Sequence, residues 1–213
     1  MSHLDFAIVG ADLEPYAAQP TLLLRVRLTE TSGAPVHAVA LRCQLKIEPQ
    51  RRRYSDTEVA RLYELFGETP QWGDSLRPFL WTHIGITVAG FDGTTDIELP
   101  VVCTYDFEVA AAKYLHALDG GDIPIVALFS GTVFSKGGAG FVAEPISWQA
   151  DASYPLPVAT WRAVMDRYFP DSGWVRVSRT TLDHLQRFKA ARALRGWDEA
   201  FERLLKEAGV DES

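Results

Sequence analysis

Two runs of strict two-residue alternation constrain this chain more than anything else in it. In residues 22–29, Leu22, Leu24, Val26 and Leu28 fall on one parity, and Arg25, Arg27 and Thr29 on the other. Residues 39–48 repeat the scheme, with Val39, Leu41, Cys43, Leu45 and Ile47 set against Arg42, Gln44, Lys46 and Glu48. Successive side chains of an extended chain point to opposite faces, so each run reads as a strand with one dry face and one wet face. Ser32-Gly33-Ala34-Pro35 supplies turn chemistry between them, which predicts an antiparallel hairpin. A short strand over residues 6–9 flanks it.

Further along, Ser55 and Glu58 form an S-x-x-E capping box ahead of Val59, Leu62, Tyr63 and Phe66, whose spacing gives a helix an apolar stripe. Alternation returns over residues 80–88 and again over 97–109, followed by a short helix at about 110–118. Residues 125–134 are apolar on both parities and read as a strand covered on both faces. Residues 135–140 form a hairpin loop, and 141–148 the returning strand. After Pro155 the period changes. Trp161, Val164, Met165 and Tyr168 mark a helix opened by Pro157, residues 174–177 a brief strand, and Thr180 the cap of a helix that turns Leu182, Leu185 and Phe188 inward. Trp197, Phe201, Leu204 and Leu205 mark the last helix, with Trp161 and Trp197 expected in the core. The fold class is α+β: mainly an antiparallel β-sandwich or curved sheet, with an inserted helix and a C-terminal helical segment. Residues 1–154 make the β-rich core domain, with inserted helices at about 56–66 and 110–118. Residues 155–213 make a helical segment packed on the same domain.

Composition narrows the function classes. With 47% hydrophobic and 23% charged residues among 213, the chain has enough apolar material for a sizeable core. A net charge of −7 argues against a dedicated nucleic-acid binder, which neutralises phosphates with clustered cations. No window approaches the ~18 apolar residues of a membrane span, and the first residues lack the basic and apolar regions of a secretory signal. The expected location is the cytoplasm, where Cys43 and Cys103 are read as buried free thiols.

No chemistry-bearing motif is complete. Lys136 precedes its glycines in Ser135-Lys136-Gly137-Gly138-Ala139-Gly140, so the segment is not a phosphate-binding loop. The histidines and cysteines lack metal-ligand spacing, and neither a metal nor another cofactor is expected. Asp106 and Glu108 share a strand parity with Asp96 and Glu98. They are candidates for acid–base chemistry, with His83 as a third, although His83 has the outward parity of its strand. The bland reading of these acids is a solvated strand face. Arg51-Arg52-Arg53-Tyr54 is the most cationic stretch of an acidic chain, and Trp72 sits in a loop-like segment. These five residues are the candidates for contact with a partner protein.

Three stretches carry a family resemblance: Leu99-Pro100-Val101-Val102-Cys103-Thr104-Tyr105-Asp106-Phe107-Glu108 with Lys113-Tyr114-Leu115; Leu128-Phe129-Ser130-Gly131-Thr132-Val133-Phe134; and Met165-Asp166-Arg167-Tyr168-Phe169-Pro170 within residues 161–174. The chain resembles an uncharacterised actinobacterial family, a domain of unknown function whose genes often lie beside those of uptake nickel–iron hydrogenases. The resemblance implies an accessory or assembly role, with a hydrogenase subunit or maturation factor as partner. It supplies no catalytic residues. The leading expectation is a non-enzymatic protein acting by protein–protein binding. An enzyme with an acid–base site near Asp106 and Glu108, and a small-molecule-binding β-sandwich module, are the alternatives.

Overall fold

The computed structural model describes residues 3–104, 109–137, 140–170, 172 and 175–210. Within them the strands are β1 (Leu4–Leu13), β2 (Thr21–Glu30), β3 (Val36–Ile47), β4 (Phe79–Phe91), β5 (Thr94–Val102), β6 (Asp122–Gly137), β7 (Gly140–Pro145) and β8 (Asp151–Pro157). The helices are α1 (Asp56–Phe66), the single turn α2 (Trp72–Ser75), α3 (Ala110–Ala117), α4 (Val158–Tyr168), α5 (Arg179–Ala191) and α6 (Trp197–Glu207). The α+β class is as the sequence predicts. All strand pairs are antiparallel. One sheet runs β1-β2-β5, and the other runs β4-β3-β6 with β7 and β8 sharing the far edge of the long β6.

β2 and β3 are therefore not a hairpin. Each lies in the middle of a different sheet, and the linker between them crosses the sandwich. Energetics explains the difference. Leu22, Leu24, Val26 and Leu28 are wholly buried, as are Val39, Leu45 and Ile47. Full burial of each such side chain contributes about 1.5–3 kcal/mol, more than any turn preference, and placing the two rows in opposing sheets buries both. The stacked rings of Phe6 on β1 and Phe129 on β6, 4.2 Å apart, mark the meeting of the two layers. The linker is held by the Glu30 carboxylate, which accepts from the Ser32 and Ala34 amides at 3.0 Å. The β4–β5 turn crosses in the same way, with Gly93 at φ +66°, and the Glu30 amide donates to the Gly93 carbonyl at 2.7 Å.

Several finer expectations change. On β6, Ile123, Ile125, Ala127 and Phe129 are buried while the other parity is only half-buried, so the strand is covered on one face rather than two. β5 stops at Val102, and the predicted continuation through residues 105–108 lies outside the described residues. Residues 175–177 form no strand, and Trp174 also lies outside the described set. On α1, Leu62 and Phe66 are buried but Tyr63 is exposed, because the buried stripe rotates to include Glu58. Helix α4 buries Trp161, Val164 and Met165 as its period predicts.

The chain divides into two compact units, Met1–Trp174 and Val175–Ser213. The first holds both sheets and helices α1 to α4. In the second, Ser178 rather than Thr180 caps α5, accepting from the Thr181 amide at 3.1 Å. Among the described residues, no helix is long and apolar enough to cross a membrane.

Candidate functional site

The three-arginine run occupies the turn that follows β3. Pro49 opens a single 3-10 turn over Pro49–Arg51, where its missing N–H needs no partner. The three guanidinium groups then meet different fates. Arg51 reaches back to the Glu48 carboxylate at 2.8 Å and is half-exposed. Arg52 turns inward. Its Nη2 donates to Glu58 Oε1 at 2.8 Å and to the Gly120 carbonyl at 3.1 Å, its Nη1 to the Asp122 carbonyl at 3.2 Å, and its Nε to the Arg53 carbonyl at 3.3 Å. The guanidinium lies 5.1 Å from the Tyr54 ring centroid. Arg53 is exposed and makes no ion pair among the described residues.

Glu58 completes the network. Its side chain is 4% exposed and that of Arg52 10%, so both charges have left bulk water. Such burial is tolerable only when the pair is fully hydrogen-bonded. Glu58 meets that condition, because its carboxylate also accepts from the Asp119 amide at 2.8 Å and the Ser55 amide at 3.0 Å. The Ser55 hydroxyl accepts in return from the Glu58 amide, which makes the capping box read from the sequence. One carboxylate thus ties the arginine turn, the start of α1 and the α3–β6 loop together.

Tyr54 and Trp72 belong to this framework. The Tyr54 hydroxyl donates to the Pro49 carbonyl at 2.7 Å and accepts from Tyr114, whose hydroxyl lies 2.8 Å away. Burial pushes both phenols up, Tyr114 to about 12. Trp72 is half-buried, donates its indole N–H to the Gly67 carbonyl at 3.0 Å, and meets Tyr54 edge-on. Of the five residues proposed for partner contact, Arg51 and Arg53 are the ones with exposed side chains.

The acid–base candidates do not come together among the described residues. Asp106 and Glu108 lie outside that set. His83 is exposed on β4, opposite Gln44, with the two Nε2 atoms 3.4 Å apart. Asp96 forms a two-pronged pair with Arg27 at 2.7 and 2.8 Å on the solvated face of the first sheet, and this pairing holds its carboxyl below the usual range. Cys43 and Cys103 are buried free thiols pushed up to about 12 by burial. Among the described residues, no group of three or more His, Cys, Asp or Glu is placed to hold a metal ion.

Two features go beyond what the sequence shows. The first is a cleft of about 480 Å³ between the arginine turn and the β6–β8 pair, lined in part by Pro124, Ile125, Tyr154 and Pro155. It exists because β8 pairs with β6 in a register that sets Pro124 opposite Pro155 and Ile125 opposite Tyr154. The second lies in the C-terminal unit, where Trp197, Phe201 and Leu205 recur every four residues along α6. They are 38%, 43% and 51% exposed, and Leu182 on α5 is exposed too. Trp197 stacks on Phe201 with centroids 6.0 Å apart, and Lys189 lies over the Trp197 ring. Trp197 is therefore not a core residue, nor does Leu182 turn inward. The sequence does show the four-residue spacing of this stripe. It cannot show what covers it.

These features define an α+β protein built on an open antiparallel sandwich, with a helical C-terminal unit. The chain belongs to a family of unknown function, DUF6084, whose model matches residues 1–213. No curated protein matches it. Among solved structures, it is similar to a β-glucosidase from Kluyveromyces marxianus, at 7% identity and a TM-score of 0.27 over 72% of this chain. It is also similar to β-glucosidase 3B from Thermotoga neapolitana, at 11% identity and a TM-score of 0.23 over 72% of this chain. The chain spans 15% and 17% of the lengths of those two proteins. A Bordetella pertussis protein assigned as ApaA is similar at 13% identity and a TM-score of 0.22, over 73% of this chain and 94% of its own. At these scores the likenesses define no shared fold.

Proposed function

We propose that this chain is a non-enzymatic accessory protein that acts by binding another protein, and that the partner is a subunit or maturation factor of an uptake nickel–iron hydrogenase in the cytoplasm. The observation that carries the protein-binding part is the α6 stripe of Trp197, Phe201 and Leu205. A helix that presents large apolar side chains along one face, here at i, i+4 and i+8, has the amphipathic character by which helices seat in a partner's groove. A unit of 39 residues is also too small to bury a core of its own, and Ala200 is its one buried side chain among the described residues. The hydrogenase assignment rests on the family resemblance alone.

Tagged chain recovered from its native host under gentle conditions tests both parts. A Trp197→Ser/Phe201→Ser variant, with helicity checked by circular dichroism, serves as the comparison. The expected result is a hydrogenase subunit or maturation factor retained by the native chain and lost from the variant. Native chain that retains no such protein overturns the partner class, and a variant that retains it equally well overturns the surface.

A further inference from the structure

From the cleft beside the three-arginine turn we infer a binding site for a small monocarboxylate with a flat apolar body, a site independent of the protein-docking reading. The volume, about 480 Å³, lies within the roughly 300–1,000 Å³ of small-ligand sites. Its lining combines an apolar part, Pro124, Tyr154 and Pro155, with a cationic part. The cations are not equivalent. Arg52 is spent on Glu58 and on backbone carbonyls, and Arg51 on Glu48. Arg53 alone of the three has no ion-pair partner among the described residues and is left to receive a ligand carboxylate, which a guanidinium can hold with two parallel bonds.

The walls are preformed. The turn that carries Arg53 is tied to β6 by the Glu48 amide, which donates to the Pro124 carbonyl at 2.9 Å, and by Arg52, which donates to the Asp122 carbonyl. A site held in this way loses little conformational freedom on binding. Asp122 also lines the cleft, as does Glu48, and negative charge there disfavours multiply charged anions. That selects a single carboxylate over a phosphate or a dicarboxylate. The half-buried ring of Tyr154, paired across the strands with Ile125, offers the flat surface for the apolar body.

The test uses the full chain and follows backbone amides by NMR during titration with benzoate, benzamide, acetate and inorganic phosphate. Benzoate is expected to bind saturably in the millimolar range, with shifts centred on Gly121, Asp122 and Tyr154. Benzamide lacks the charge, acetate lacks the ring, and phosphate carries extra charge, so each should bind more weakly. Arg53→Gln, at an exposed position without an ion pair among the described residues, keeps the fold and should weaken benzoate about tenfold or more while leaving benzamide unchanged. Benzoate binding no better than benzamide, shifts elsewhere on the surface, or an Arg53→Gln variant that binds like the native chain overturns the inference.

Discussion

Replacing Glu58 with alanine tests the claim that one buried carboxylate ties three segments together. The substitution removes the acceptor for Arg52 Nη2, for the Asp119 amide and for the Ser55 amide. Stranding one partner of a buried ion pair costs about 3–5 kcal/mol, and losing a helix cap costs about 1 kcal/mol. These costs share one carboxylate and do not add in full. Arg52 also keeps its bonds to the Gly120 and Asp122 carbonyls, which lowers the first. The expected loss is about 4 kcal/mol, read from urea unfolding by tryptophan fluorescence with the slope m unchanged. Glu58→Gln keeps an acceptor but loses the charge, and should lose about 2 kcal/mol. Removing Arg52 as well relieves the stranded charge, so Arg52→Met/Glu58→Ala should lose less than the sum of the two single variants. Asp96→Asn breaks an exposed pair and should leave the midpoint unmoved. A Glu58→Ala loss below about 1 kcal/mol would refute the reasoning, since it would make this pair no stronger than a surface one.

Gly131 sits at φ +138°, and a Cβ there would lie 2.0 Å from the Ala40 carbonyl oxygen. Gly131→Ala should therefore cost about 3 kcal/mol or more in the same assay. Gly85, with open space around it, should accept alanine with a gain of about 0.5–1 kcal/mol. The buried thiols give the chain an alkaline limit. Folded Cys43 and Cys103 hold their protons to about 12 whereas the unfolded thiols release theirs near 9, so stability is complete below pH 9 and falls as pH rises through that window. A Cys43→Ala/Cys103→Ala variant should show a shallower alkaline loss in urea melts taken against pH. His116 acts at the other end. Burial, and then the charge of Arg162, lower its pKa from 6.5, so its contribution is present above that value and is lost as pH falls. His116→Gln should flatten that acid limb.

The strands were legible because alternation is a local property. Val26 and Arg27 carry their faces in their own chemistry, and the register that places Arg27 opposite Asp96 respects that parity. Strand partners were not legible. Ser32-Gly33-Ala34-Pro35 serves a hairpin or a crossing equally well, and the choice is made by where the Leu22 and Leu41 rows find cover, several strands away in sequence. The site divided along the same line. The Ser55–Glu58 box was readable from four consecutive positions. A separation of sixty-one positions between Glu58 and Asp119 puts the rest of that network beyond any local pattern, and so an arginine run that looks like a solvated patch holds one strut, one surface pair and one cation with no ion pair among the described residues.

Helical stripes carry the same ambiguity, and here it bears on function. Trp161 and Trp197 each open an apolar stripe of nearly the same period, yet Trp161 is 2% exposed and Trp197 38%. Periodicity states which side chains share a face. It does not state whether the cover comes from the same chain. For α4 the cover is at hand, since β1, β2 and β8 pack against it. For α6, hydrophobic burial is worth about 25 cal/mol for each Å² removed from water, and rings as large as Trp197 and Phe201 leave that gain unclaimed while exposed. Natural helices seldom keep such a stripe without something that uses it. The exposure of Trp197 is thus the sharpest structural reason to look for function in association with another protein, and Trp197→Ser is the single change whose effect on partner retention should most exceed its effect on stability.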